Sequence, residues 1–167
     1  LWMKLLEARA ETGEPYLINI DKCNEALPEG QKALGLEIKQ SNLCSEITLP
    51  TDEERTAVCC LSSVNLEYFD KWKKDERFIP DLIKMLDNVL EHFIEDIVDT
   101  SKLGGYTAKF KRFKNYVKDV EGKKGMVKAA YSAYRERSIG LGAMGFHAYL
   151  QSKGLPFSGL QQTGINN

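Results

Sequence analysis

Nothing in this sequence approaches the roughly 20 consecutive apolar residues that a bilayer-spanning helix needs. Charged residues interrupt its apolar stretches every few positions. It has no excess of charge of either sign either: 23 Lys and Arg stand against 24 Asp and Glu, a formal net charge of −1. With a pI near 6.2, no basic footprint invites DNA, RNA or an anionic membrane. Histidine is scarce, with only His92 and His147, which leaves little to complete a zinc set or to serve as base to a nucleophile. The cysteines, Cys23, Cys44, Cys59 and Cys60, form no Cys-x-x-Cys pair, so a bound metal is not expected. A chain of 167 residues that is 43% hydrophobic can build a core without disulfides. A reducing, cytoplasmic setting is therefore expected, or the cytoplasm of a host if the source is a phage. The start, Leu1-Trp2-Met3-Lys4, has neither an initiating Met nor a signal-peptide pattern and reads as internal.

The order of elements follows from periodicity and stop signals. Leu1 to Thr12 reads as the tail of a helix stopped by Gly13, with Pro15 beyond. Tyr16 to Asp21 is a short β-prone apolar run and predicts a buried strand. Residues 24–41, with Pro28, Gly30 and Gly35, predict a long loop leading to Asn42-Leu43-Cys44-Ser45-Glu46-Ile47. After a charged turn at Thr51 to Arg55, Thr56 to Val64 is almost uncharged, as a strand covered on both faces would be. Ile79, Leu82, Ile83, Leu86, Val89, Leu90, Phe93, Ile94 and Ile97 recur at three and four, an amphipathic helix from Phe78 to Val98. Ser101 to Gly125 is Gly- and Lys-rich with Phe110, Phe113 and Tyr116 interleaved, a linker or short helix with a solvated face. Met126 to Arg137 is helical in pattern, and a second short helix runs through Lys153. Residues 158–167 lack periodicity and predict a frayed tail. Strand, loop, strand and helices imply an α/β fold with parallel pairing. So few strands, flanked by helices so apolar, suggest a piece of a larger one.

Three patterns could carry chemistry. In an extended backbone, Asn42, Cys44 and Glu46 would point to one face and converge on one pocket. A carboxylate beside the thiol disfavours a thiolate nucleophile, and neither histidine has the context of its base. A thiol that stays protonated suits one-electron oxidation to a thiyl radical instead, with Glu46 taking a proton from a substrate hydroxyl that Asn42 holds. An ordinary strand could equally carry these three residues. Cys59 and Cys60 are neighbours in an apolar strand, facing opposite ways, so a disulfide between them would be strained. Gly140-x-Gly142-x-x-Gly145 matches a dinucleotide fingerprint in form. It lacks the preceding strand and the later acidic residue, so tight helix packing is the expected role of these glycines, and an independent NAD-binding protein is the weaker alternative.

Asn42-Leu43-Cys44-Ser45-Glu46-Ile47, followed by Ala57-Val58-Cys59-Cys60-Leu61-Ser62-Ser63-Val64-Asn65-Leu66, resembles the large catalytic subunit of class I ribonucleotide reductase. Ala8 to Tyr16 is similar to that family's segment ahead of the active-site loop, and Arg137 to His147 to its later glycine-rich helix start. The similarity runs in the family's order over residues 1–157. It implies a fragment, the middle of the ten-stranded α/β barrel, with residues 158–167 outside the match.

By this resemblance Cys44 is the thiyl-radical cysteine that abstracts the 3′ hydrogen of the substrate ribose, Glu46 the base at the 3′ hydroxyl, and Asn42 a hydrogen-bonding partner. All three then bind substrate. Cys59 aligns with one of two redox-active cysteines whose disulfide closes after turnover, its partner lying outside these residues. Cys60 has no role in that scheme, and Cys23 is expected as packing. The fragment itself is expected to bind no cofactor. The radical would come from a metal-containing small subunit, and ATP and deoxynucleotides would act as allosteric effectors of the full-length family. The implied partners are the remaining parts of the large subunit, the small subunit, a thioredoxin- or glutaredoxin-like reductant and a ribonucleoside diphosphate, with no nucleic acid and no membrane. The chain alone is expected to be inactive; the rival expectation is a non-catalytic remnant serving assembly or interaction.

Overall fold

The computed structural model describes residues 1–118 and 124–158, which fall in two compact units, Leu1–Val58 and Cys59–Asn167. The first unit opens with helix α1 (Trp2–Thr12), which ends where the sequence stops it. Gly13 takes a left-handed φ of 80° and donates its N–H to the Arg9 carbonyl at 2.8 Å, a helix end that a glycine makes without a Cβ clash. None of α1 is buried.

The strand expected at Tyr16 to Asp21 is not formed. Tyr16, Leu17 and Ile18 are exposed, and Asn19 accepts the Lys22 N–H at 3.2 Å to cap helix α2 (Ile20–Glu25). A local side-chain cap satisfies the backbone there, whereas a strand needs a partner strand. The loop expected over 24–41 likewise contains α2's last turn and helix α3 (Glu29–Ala33), led in by Pro28. Asn24 ties the two ends of this stretch together. Its amide donates to the Ile20 carbonyl at 3.0 Å and the Ile38 carbonyl at 2.9 Å and accepts the Ile38 N–H at 2.8 Å, with Leu27 and Ile38 buried beside it.

In the second unit strand β1 (Cys60–Asn65) leads into a 3₁₀ turn at Leu66–Tyr68 and the short helix α4 (Phe69–Trp72). Helix α5 (Phe78–Ile97) follows, one residue shorter than its periodicity predicts, then α6 (Phe110–Lys114) and α7 (Val127–Glu136). Strand β2 (Ile139–Met144) and helix α8 (Phe146–Ser152) complete the described part. The strands pair in parallel, from Cys60 opposite Ile139 to Asn65 opposite Met144, as expected. Burial on both faces is not found: Val64 is buried, whereas Leu61 and Met144 are exposed.

The core of this unit lies where α5 turns Leu86, Leu90, Ile94 and Ile97 inward, toward α7 with its buried Ala130, Tyr131, Ala133 and Tyr134. The Lys-rich stretch contributes to that core through its aromatics. Phe113 is wholly buried, with its ring centroid 5.3 Å from those of both Tyr131 and Tyr134, while Lys109, Lys111 and Lys114 are exposed. The part of that stretch at 119–123, and the expected frayed tail from 159 onward, lie outside the described residues.

Arg137 closes α7 in a left-handed conformation, φ 49°. Its guanidinium spans two α5 carboxylates, bonding Asp87 Oδ1 at 2.6 Å and Glu91 Oε2 at 2.5 Å. Burial works against that charge, but the hydrogen bonds it donates to Asp87 and Glu91 more than offset it and push the guanidinium's pKa up. The entry to β2 is thereby fastened to α5. Among the described residues no helix is long and apolar enough to cross a membrane.

Candidate functional site

Asn42, Cys44 and Glu46 are brought together by a tight turn, not by the extended backbone expected of them. Ser41 and Thr48 form an antiparallel bridge, and inside it Asn42 and Ile47 pair: the Asn42 N–H donates to the Ile47 carbonyl at 3.1 Å, and the Ile47 N–H donates to Asn42 Oδ1 at 3.1 Å. The Ser45 N–H then reaches back to the Asn42 carbonyl at 3.3 Å, the i to i+3 bond of a β-turn. Leu43 and Cys44 are therefore its central residues, at the tip. Both are exposed, and Cys44 is a free thiol.

The expected convergence of Asn42 and Glu46 is present despite the different backbone. The Asn42 side-chain amide donates to Glu46 Oε1 across the base of the turn. A turn achieves what alternation in a strand would have, because the chain reverses between the two residues. Asn42 thus fixes the carboxylate on one side and the returning backbone at Ile47 on the other. An exposed thiol carried on a finger whose base holds an amide and a carboxylate can present sulfur, proton acceptor and hydrogen-bond donor to one bound molecule.

Two residues that sequence reasoning missed complete the turn. Ser45 has φ 63°, left-handed for a residue with a Cβ, and the Ser41 hydroxyl donates to the Asn42 carbonyl at 3.0 Å and lies 3.3 Å from Ser45 Oγ. The available signal was compositional: Ser41, Asn42 and Ser45 are turn formers.

Cys59 lies just before β1, not within it as expected, and Cys60 begins the strand. Both are half-buried and free. Burial, and secondarily the neighbouring Cys60, push the Cys59 thiol above its ordinary pKa, so it is held as a thiol, with its Sγ 3.8 Å from the Cys60 carbonyl. Cys23 is half-buried in α2. His92 stands exposed on α5, and His147 is exposed on α8 with its ring edge-on to Phe157 at 5.6 Å. Both are surface residues.

The glycine pattern is not helix packing. Gly140 and Gly142 lie within β2 itself, and a Cβ at Gly140 would come within 2.6 Å of Leu61 Cδ2 on the paired strand. Gly145, with φ 75°, starts α8 and lies against the Asn65 side chain. These glycines let a strand, its neighbour and a helix start approach closely, so the dinucleotide reading gains no support from the site.

Comparison with known proteins finds a family match and several relatives. The sequence model of the family described as "Ribonucleotide reductase, barrel domain" matches residues 1–167. The ribonucleoside-diphosphate reductase large subunit of Invertebrate iridescent virus 3 is 49% identical over 166 residues, 99% of this chain and 22% of the relative. That of Arabidopsis thaliana is 34% identical over 168 residues, 99% of this chain and 20% of the relative. Among solved structures, the class Id ribonucleotide reductase alpha subunit of Actinobacillus ureae superposes with a TM-score of 0.74 at 37% identity, covering 99% of this chain and 27% of that one. The chain thus spans about a quarter or less of the length of these relatives.

Proposed function

Since the chain belongs to the ribonucleotide reductase family, whose barrel-domain model matches residues 1–167, we propose that it is the radical-cysteine part of a ribonucleoside-diphosphate reductase large subunit, acting in deoxyribonucleotide synthesis. The observation that carries this reading is the finger turn, with Cys44 exposed at its tip and Asn42 hydrogen-bonded to Glu46 at its base. Spacing alone admits an inert strand; a turn held by its own side chains, presenting a free thiol, is a delivery device.

In this reading Cys44, as a thiyl radical, takes the 3′ hydrogen atom of the ribose and becomes a thiol, leaving a carbon-centred radical at C3′. Glu46 accepts the 3′ hydroxyl proton while Asn42 orients the carboxylate. The C2′–O bond then breaks, and the 2′ hydroxyl leaves as water with an added proton. Two cysteine thiols supply the two electrons and two protons needed and close as a disulfide. Cys59 is one of them, the other coming from the rest of the large subunit. Of the two thiol protons one leaves with the 2′ hydroxyl as water and one ends on C2′; Glu46 returns its proton to the 3′ oxygen, and Cys44 finally returns a hydrogen atom to C3′ and is again a thiyl radical. The burial that keeps Cys59 protonated suits a group that gives up hydrogen.

The radical itself is supplied by a metal-containing small subunit. A thioredoxin- or glutaredoxin-like dithiol reopens the disulfide, and ATP and deoxynucleotides regulate the assembled subunit from regions outside this chain. Because the chain spans only about a quarter of its relatives, it is inactive alone and works once the other parts are joined to it. The test is to coexpress it with the complementary parts of a matching large subunit, add small subunit and dithiol, and measure deoxyribonucleotide formation. Product from wild type and none from Cys44→Ser is the expected result. A well-formed complex without activity would make this chain a remnant, and an active Cys44→Ser complex would remove Cys44 from the radical role.

A further inference from the structure

Among the described residues, the non-glycine residues at positive φ are Ser45 and Arg137. Arg137 is held by the α5 carboxylates. Ser45 sits next to Cys44, and among the described residues the side chain bonded to its own is that of Ser41. The Ser41 hydroxyl reaches both ends of the turn, donating to the Asn42 carbonyl at 3.0 Å and meeting Ser45 Oγ at 3.3 Å. One hydroxyl carries one proton, so while Ser41 donates to Asn42, the Ser45 hydroxyl supplies the proton of the second contact. The same Asn42 carbonyl also accepts the Ser45 N–H. Three groups therefore fix one four-residue turn: the Asn42 carbonyl, the Ser45 backbone and the hydroxyl between them.

We propose that Ser41 and Ser45 form a hydroxyl clasp that positions the Cys44 sulfur for hydrogen-atom abstraction; this rests on the role assigned to Cys44 above. In the proposed role neither serine contacts substrate. They act through the backbone, by holding Ser45 in the left-handed conformation from which the chain reverses toward Glu46. A side chain has little reason to stay in that region unless something local holds it, and the clasp is that local restraint. Hydrogen transfer needs a near-attack geometry, and displacement of a reacting atom by about 1 Å lowers rates by roughly a hundredfold. Looseness at the tip thus reads out in the chemical step, whereas the substrate contacts assigned to Asn42 and Glu46, held at the base of the turn by their own hydrogen bond, stay.

The variants are Ser41→Ala, which opens the clasp; Ser41→Thr, which keeps the hydroxyl; and Ser45→Gly, which keeps the φ without the hydroxyl. In the assembled large subunit, kcat is expected to fall roughly ten- to a hundredfold in Ser41→Ala with KM unchanged, and to recover in Ser41→Thr. Ser45→Gly falls as well, since a free backbone replaces a restrained one. A Ser41→Ala enzyme as fast as wild type, or one in which KM alone moves, overturns the proposal. Backbone NMR couplings that report φ at Ser45 provide a readout independent of activity, in the 167-residue chain. Positive φ is expected in wild type and Ser41→Thr, and its loss in Ser41→Ala. An unchanged Ser45 φ in Ser41→Ala refutes the clasp even if the wild-type assembly proves inactive, in which case the reductase reading has failed separately.

Discussion

Gly145 offers the sharpest test of how the strand pair hands over to α8. Its φ of 75° is left-handed, and a Cβ there would overlap Asn65 Oδ1 and come within 3.1 Å of the Glu67 backbone nitrogen. That same Asn65 oxygen accepts the Glu67 N–H at 3.0 Å and caps the 3₁₀ turn after β1. Gly145→Ala therefore does two things: it forces an alanine into the left-handed region, at about 1–2 kcal/mol, and evicts a capping side chain, at about 1 kcal/mol. The alanine returns about 0.4–1 kcal/mol by restricting the unfolded chain. The net expectation is about 2 kcal/mol of destabilisation. Two other glycines separate the parts. Gly154 has φ 66° with nothing within 4 Å of its Cβ, so Gly154→Ala carries the backbone strain alone and costs about 1 kcal/mol or less. Gly140 has no positive φ and meets the far end of exposed Leu61, which can swing away, so Gly140→Ala falls within about 0.5 kcal/mol of wild type.

Urea unfolding of the three variants, and of Gly145→Ala in an Asn65→Ala background, measures the ranking and the coupling. Without the Asn65 side chain there is no cap left to evict, so the cost of Gly145→Ala should drop by about 1 kcal/mol in that background. If the two substitutions add, or if Gly140→Ala costs as much as Gly145→Ala, the steric account of this junction is wrong.

Phe113→Ala removes a wholly buried ring between Tyr131 and Tyr134 and should lower unfolding free energy by about 3–5 kcal/mol, whereas Phe110→Ala, at a half-buried ring, should cost clearly less; equal midpoints in denaturant would refute this core assignment. Hydrogen bonds from Lys153, and then Lys73, hold the Asp70 carboxyl below its ordinary 3.8. The stability this gives is present above that ordinary value and lost as pH falls through the lower, folded one. Asp70→Asn should lose a little stability at neutral pH and less in acid, flattening the acid limb of a stability-versus-pH curve slightly, because the ion pairs are solvent-exposed; a larger loss in acid than at neutral pH would reverse the sign. Glu46→Gln keeps an oxygen that can accept from Asn42 but cannot take a proton, so kcat in the assembled reductase should fall by about 10²–10⁴ with KM retained, and activity near wild type would remove Glu46 as the base.

The sequence was most readable where one signal dominated. Nine apolar residues at helical spacing outlined α5 to within a residue at its C-terminal end, and Gly13 stopped α1 where glycine stops helices. It was least readable where a side-chain cap competed with an apolar run. Tyr16-Leu17-Ile18 has the composition of a strand, yet Asn19 captures the following N–H and starts a helix instead. The short helices α2 and α3 carry too few residues to show a period. Phe110 and Phe113 were visible among the lysines, but which face of a five-residue helix is buried depends on Tyr131 and Tyr134, which arrive from α7.

The candidate site was legible as a set of residues but not as a shape. Alternation at Asn42, Cys44 and Glu46 predicts a shared face only if the backbone is extended, and the Ser45 N–H bond to Asn42 bends it into a turn. The convergence survives because the turn closes on the same pair, Asn42 and Glu46. Each hydrogen bond that shapes this tip lies within residues 41–48, from the Ser41–Thr48 bridge inward. The placement of Cys44 on its finger is thus a local property of the peptide. Cys59 differs in kind: its protonated state follows chiefly from burial, which depends on what packs around it. Joining the rest of a large subunit should therefore leave the shape of the Cys44 turn as it is while altering the surroundings, and the thiol chemistry, of Cys59.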